Sequence, residues 1–269
     1  MRLTVLLGLL IGMLPGIVFA KDADTLVKLA SADQARAWEA VGRVNLVGTG
    51  FCTGSLIAPR LVLTAAHCMY DKRTGERIAT ENIEFLAGWR DGRAAAQRKA
   101  HRVIINKDYR YNNEKRLDRV AADIALIELD QPIKNTRIMP FDAAQRPGVG
   151  QTVQIVSYAK DRENAPSLEE TCRVLGKNPD ILVLSCHVNF GASGAPIFVV
   201  ENGVPHIASV VSAKAEWNSR KVALGAALGR PLRELIAALE KSQSAFRGVQ
   251  NTSSGLTGSG NAGSGFKKP

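Results

Sequence analysis

Leu61-Val62-Leu63-Thr64-Ala65-Ala66-His67-Cys68 sets an apolar, β-prone run against small residues, a histidine and a cysteine. The run reads as the end of a strand, so His67 falls where regular backbone pairing stops and a side chain can reach a cleft. Alone, such a histidine says little, because beside apolar residues it is more often a hydrogen-bonded structural group than a titrating one. Two further stretches change its meaning. Asp123-Ile124-Ala125-Leu126-Ile127-Glu128-Leu129 opens a second apolar run on an aspartate, and Phe190-Gly191-Ala192-Ser193-Gly194-Ala195-Pro196 sets one serine among residues with little or no side chain. Histidine, aspartate and serine, in that chain order, are the parts of a nucleophile activated by a supported base.

Outward from these stretches, short apolar runs recur with Gly and Pro between them. Val41 to Leu46 is closed by Gly48-Thr49-Gly50, and Phe51 to Ala58 by Pro59. This punctuation predicts antiparallel β structure. Further strands are expected at Ile83–Leu86, Lys99–Ile105 and Ile124–Leu129, with Pro132 and Pro140 marking a connection between halves. The second half predicts strands at Thr152–Tyr158, Glu170–Val174, Ile181–Val188, Pro196–Val200, His206–Ser212 and Val222–Leu228. One helical period intrudes: after Pro231, Leu232, Leu235, Ile236 and Leu239 recur at i, i+3, i+4 and i+7. The expected class is all-β with a C-terminal α-helix. From Asn251 to Phe266 the chain is mostly Gly, Ser, Thr and Asn, a composition that cannot bury enough to offset its ordering entropy.

Arg2 followed by the apolar stretch Leu3 to Val18, Pro15-Gly16 and then Val18-Phe19-Ala20 fits an export signal cleaved after Ala20. The stretch is shorter than the roughly 20 residues of a membrane span. The chain is therefore expected in the periplasm or secreted, without a transmembrane span after signal cleavage, where disulfides are permitted. At 269 residues, 45% hydrophobic and 22% charged, fibrous and wholly disordered classes are excluded. The formal charge of +10 favours anionic partners or serves solubility. Between Asp71 and Arg119 thirteen Lys/Arg face eight Asp/Glu; this segment, 71–119, would meet an anionic surface or acidic substrate, or simply solvate its loops. No stacking aromatics interleave with it, so nucleic acid is not an expected partner. The four cysteines lack metal-pair spacing, and neither a metal nor another cofactor is expected.

Taken together, Thr64-Ala65-Ala66-His67-Cys68, Asp123-Ile124-Ala125-Leu126 and Gly191-Ala192-Ser193-Gly194-Ala195-Pro196 resemble the motifs of the trypsin/chymotrypsin family of serine endopeptidases, across about residues 41–241. The resemblance implies two packed antiparallel β-barrels, chymotrypsin-like, with the active site in the cleft between them. With residues 1–20 read as signal peptide and 21–40 as an N-terminal segment, it places 41–140 as the first barrel with His67 and Asp123. Residues 141–242 follow as the second barrel with Ser193 and the C-terminal helix, and 243–269 as a flexible Gly/Ser-rich tail. It implies a secreted or periplasmic protease of bacterial type that cleaves protein or peptide substrates through an acyl-enzyme. In it His67 is the general base, Asp123 orients it and Ser193 attacks. The backbone N–H groups of Gly191 and Ser193 would form the oxyanion hole. It further implies a Cys52–Cys68 bond, leaving Cys172 and Cys186 for the second. The alternative is a catalytically silent homologue serving as a binding or adaptor module.

Two departures stand out. Digestive members carry an aspartate directly before the serine to receive a new N-terminal amine; here that residue is Ala192, and residues 21–45 contain no Ile-Val-Gly-Gly start. Together these predict an oxyanion loop organised without a buried N-terminal salt bridge. Trypsin-like members also carry an aspartate six residues before the serine; here His187 stands there, beside Val188, with Phe190 near the pocket mouth. Ser212 and Lys214 belong to the expected wall strand. These four, His187, Phe190, Ser212 and Lys214, are the candidate substrate-binding residues; His187 and Lys214 would favour an acidic P1 residue, or else point into structure.

Overall fold

The computed structural model describes the backbone of residues 26–254 and the side chains of residues 26–242. The expected signal peptide lies outside the described residues, as does the tail from 255 onward. Strand β1 (Leu26–Lys28) and a short helix α1 (Ala32–Ala35), capped by Ser31 and Gln34 reciprocally, precede the first barrel. That barrel is built from β2 (Val41–Leu46), β3 (Gly50–Ala58), β4 (Leu61–Thr64), β5 (Ile83–Ala87), β6 (Ala96–Ile105) and β7 (Ala125–Leu129). It closes in the order β2-β3-β4-β7-β6-β5. Helix α2 (Arg116–Ala121) sits in the β6–β7 connection.

The second barrel comprises β8 (Thr152–Ser157), β9 (Ser167–Asn178), β10 (Ile181–Leu184), β11 (Pro196–Glu201), β12 (Val204–Trp217) and β13 (Arg220–Ala227). Its order is β9-β10-β13-β12-β11-β8, the ring closes through β8–β9 pairing, and β1 adds to β9. All pairings between these strands are antiparallel. The expected all-β fold of two barrels with a C-terminal helix is what the chain adopts. Helix α3 (Gly229–Ser254) follows β13.

The barrels are locked at their seam by Trp38, Phe141 and Phe198, with ring centroids 5.0 Å (Trp38–Phe198) and 4.7 Å (Phe141–Phe198) apart. Each such buried ring contributes on the order of 1.5–3 kcal/mol. Helix α3 lays Leu232 and Leu235 into the core cluster that includes the first barrel's Phe85 and Leu126. Glu234 then pairs with Lys107 at 3.3 Å, and Arg102 donates to the Ser242 hydroxyl. The last element of the second barrel thus clamps back onto the first.

Several elements differ from the sequence expectation, among them β9, which runs Ser167–Asn178 where Glu170–Val174 was expected. β10 ends at Leu184, not Val188, because the chain leaves the sheet to build an irregular loop ahead of β11. β12 runs to Trp217, past Ser212, and turns into β13 through Asn218 and Ser219, both at positive φ. α2 was expected as charged loop; only Val120 of its six residues is buried, too little for an apolar period to register. α3 continues to Ser254, into the region expected as tail from 243. No proline follows Pro231 before Pro269, so nothing in the sequence blocks propagation of the hydrogen-bond ladder.

Candidate active site

The antiparallel register Thr64↔Ala125 sets the segment after β4 beside the segment before β7. His67, in a 3-10 turn over Ala66–Met69, therefore meets Asp123. The His67 backbone N–H donates to Asp123 Oδ1 at 2.8 Å, and the ring Nδ1 lies 2.7 Å from Oδ2. The Ser212 hydroxyl, from β12 of the other barrel, donates to the same Oδ2. Asp123 is 2% exposed; three donors compensate the burial of its charge. A carboxylate on Nδ1 fixes the proton there and leaves Nε2 as the acceptor. Cys68, the next residue, is bonded to Cys52 on β3, and Cys172 to Cys186.

Ser193 sits in the loop between β10 and β11. Its carbonyl accepts from Thr53 N–H at 2.9 Å, and Gly194 N–H donates to Val211 O at 2.8 Å. Gly191 has φ +92°, and a Cβ there would stand 2.3 Å from a Phe51 ring carbon; both conditions call for glycine. The Phe190 carbonyl accepts from Lys160 N–H at 2.6 Å. Across a trans peptide that holds the Gly191 N–H on the opposite side. Ala192 N–H and Ala195 N–H are bonded within the loop, whereas among the described residues neither Gly191 N–H nor Ser193 N–H meets an acceptor. His67 and Ser193 line one cavity of 260 Å³.

Thr53 escaped the sequence reading. Its fully buried hydroxyl lies 2.8 Å from Gly191 O and accepts from Tyr158 N–H at 3.0 Å. With its backbone N–H on Ser193 O, Thr53 holds the serine loop from the first barrel. The one signal in the sequence is a polar residue inside a strand buried over Cys52–Leu56.

The candidate substrate-binding residues separate. Phe190, 59% exposed, and Lys214 line the Ser193 cavity with Val188, Val211 and Ala213. Lys214 Nζ lies 4.6 Å and Lys72 Nζ 5.4 Å from the Phe190 ring centre. Ser212 lines the same wall, but its hydroxyl is committed to Asp123. His187 is not among the residues around Ser193. It lines an adjoining cavity of 640 Å³, its N–H donating to both oxygens of the buried Glu169 and its Nδ1 3.3 Å from Oε1. Lys214 borders both cavities, and its carbonyl accepts from the Arg116 guanidinium of α2.

Beyond His67 a larger cavity of 460 Å³ is walled by Tyr109 and Tyr111. Burial, helped by nearby Asp123, pushes the Tyr109 phenol up, so it stays protonated. Two groupings have the residue types of a metal site, Cys52 with His67 and Cys68, and Glu169 with Cys172 and Cys186. Their sulfurs are in disulfides and offer no thiolate.

The Trypsin family model matches residues 30–179, and the chain belongs to this family of serine proteases. A glutamyl endopeptidase of Bacillus licheniformis is 28% identical over 152 residues, covering 55% of this chain and 45% of that protein. Trypsin-1 of Salmo salar is 30% identical over 137 residues, 50% of each chain. The chain thus spans about half the length of the relatives it matches. A solved structure of Glu endopeptidase in complex with MPD shares the fold, with TM-score 0.66 at 21% identity over 81% of this chain and 97% of that one.

Proposed function

We propose that the chain is an exported serine endopeptidase that hydrolyses peptide bonds in protein or peptide substrates through an acyl-enzyme. The observation that carries this is one imidazole, fixed by a buried carboxylate at Nδ1, on the wall of the cavity that also presents Ser193. A serine hydroxyl is a weak nucleophile near neutrality and needs such a base. His67 Nε2 takes the proton as Ser193 Oγ attacks the carbonyl carbon. The negative oxygen is met by Gly191 N–H and Ser193 N–H, commonly worth about 3 kcal/mol per donor. His67 returns the proton to the leaving amine, and water repeats the sequence on the ester. Asp123 stabilises the imidazolium between the two steps. Two formed disulfides support a periplasmic or extracellular setting.

The test is labelling of the full chain by a fluorophosphonate probe. The proposal expects labelling that Ser193→Ala abolishes and His67→Ala strongly reduces. An unlabelled but folded chain would support the silent homologue instead.

A further inference from the structure

Two cavities meet at one edge of β12. The smaller holds Ser193, the larger does not, and both have His67, Lys72, Arg116, Ser212 and Ala213 in their walls. β12 pairs with β13 along one edge over Ser209–Trp217, while its pairing with β11 stops at Val210. From Ser212 onward the other edge faces the cleft, with the Gly194 N–H to Val211 carbonyl bond as the last tie to the serine loop. An extended peptide lying antiparallel on this edge runs toward Ser193, so its paired residues precede the attacked carbonyl. Successive side chains point to opposite sides, one toward each cavity. Arg116, on the Lys214 carbonyl, closes the edge after Ala213.

The larger cavity is cationic. Lys72, Arg116 and Arg119 line it, and among the described residues no carboxylate lies within ion-pair distance of any of them. Arg116 donates to the Lys214 carbonyl and Arg119 to the Asn113 carbonyl at 3.2 Å, neutral acceptors that orient the guanidinium groups without cancelling their charge. Asp123, the one acid in the lining, is taken by His67 and Ser212. Tyr111 stacks on Tyr70 at 4.9 Å, giving a firm wall for an aliphatic stem.

We infer that this larger cavity is a second specificity pocket, taking an acidic side chain from the residue immediately N-terminal to the one whose carbonyl Ser193 attacks. Its position rests on the protease reading above; its chemistry rests on three cations without a carboxylate partner, Lys72 and Arg116 on the wall shared with the Ser193 cavity and Arg119 in the larger cavity and not the smaller. The basic excess of 71–119, which supplies all three, then serves substrate selection.

Ser193→Ala protein, unable to turn over, is titrated with acetylated tetrapeptide amides matched in pairs, Glu against Gln at that position. The Glu peptide should bind roughly ten- to a hundredfold more tightly, the range of a charge-assisted pairing. Arg116→Gln and Arg119→Gln, made separately in the same background, should each bring the ratio toward one; Arg119→Gln, at a position that does not line the Ser193 cavity, should also leave the Gln peptide's affinity nearly unchanged. Equal affinities within each pair, or a ratio that survives both substitutions, overturns the inference. Fluorophosphonate labelling of the unaltered chain is read in parallel: failure there with the ratio intact removes the reaction and leaves the pocket.

Discussion

Thr53 Oγ1 stands between the Tyr158 N–H and the Gly191 carbonyl. Valine keeps its shape and removes both bonds. Thr53→Val should therefore destabilise the fold by about 1–3 kcal/mol and lower kcat by about tenfold or more as the oxyanion donors lose alignment. KM should move little; kinetics on the purified variant check it, and an unchanged kcat would free the loop of this dependence. Tyr158 gives a pH prediction. Burial pushes its phenol up, more than the hydrogen bond to Trp89 O and the nearby Arg43 pull it down. The unfolded chain ionises first, near pH 10, so this contribution to stability is whole below that pH and declines as pH rises above it. Denaturation between pH 8 and about 11 should show a decline that Tyr158→Phe flattens. At this scale His67, Asp123 and Ser193 were legible as candidates, because residue type and chain order name the parts, and the fold pairs the first two beside the cavity that holds the third. Thr53, and the commitment of Ser212 to Asp123 and of His187 to Glu169, were not. A hydroxyl's or imidazole's partner is set by which strand the fold brings beside it, and that is absent from the local sequence.

Strands were legible where apolar runs end on Gly or Pro, as at Pro59 before β4 or the run opening β7. Their closing order was not: β4 pairs with β7 across more than sixty residues, and no local pattern encodes that register. Helix α2 was hidden for a different reason, since its charges mask a single buried contact at Val120. Helix α3 was legible from its 3.6 period, and its energetic role follows from the residues buried. Leu235 is 3% exposed within the joint core. Leu235→Ala should cost about 2–5 kcal/mol, read as a fall in denaturation midpoint without loss of the cooperative slope. A midpoint unchanged would mean the helix does not hold the barrels together. Opening the Cys52–Cys68 bond by Cys52→Ala with Cys68→Ala should cost a similar amount, about 2–5 kcal/mol, with the turn carrying His67 loosened as well.

For the molecule as a whole, the site exists only where the barrels meet. His67 and Asp123 come from one barrel, Ser193 and Ser212 from the other, and Thr53 and Arg116 reach across from the first to the second. The aromatic seam of Trp38, Phe141 and Phe198 keeps these groups in register. Net charge could be counted in the sequence, but its concentration at the cleft could not, because Lys72, the Arg116 and Arg119 of α2, and Lys214 come from separated stretches of the chain. With a formal charge of +10, turnover of acidic peptides should fall as salt rises from about 0.05 to 0.5 M, and neutral ones should respond less. The central claim is that Ser193, activated by His67, carries the acyl group. Rapid mixing of the full chain with a peptide nitrophenyl ester, followed by quench and mass analysis, tests it directly. The account predicts a burst of one nitrophenol per chain and an acyl mass increment on the peptide containing Ser193. A linear release with no increment, or an increment elsewhere, would contradict it.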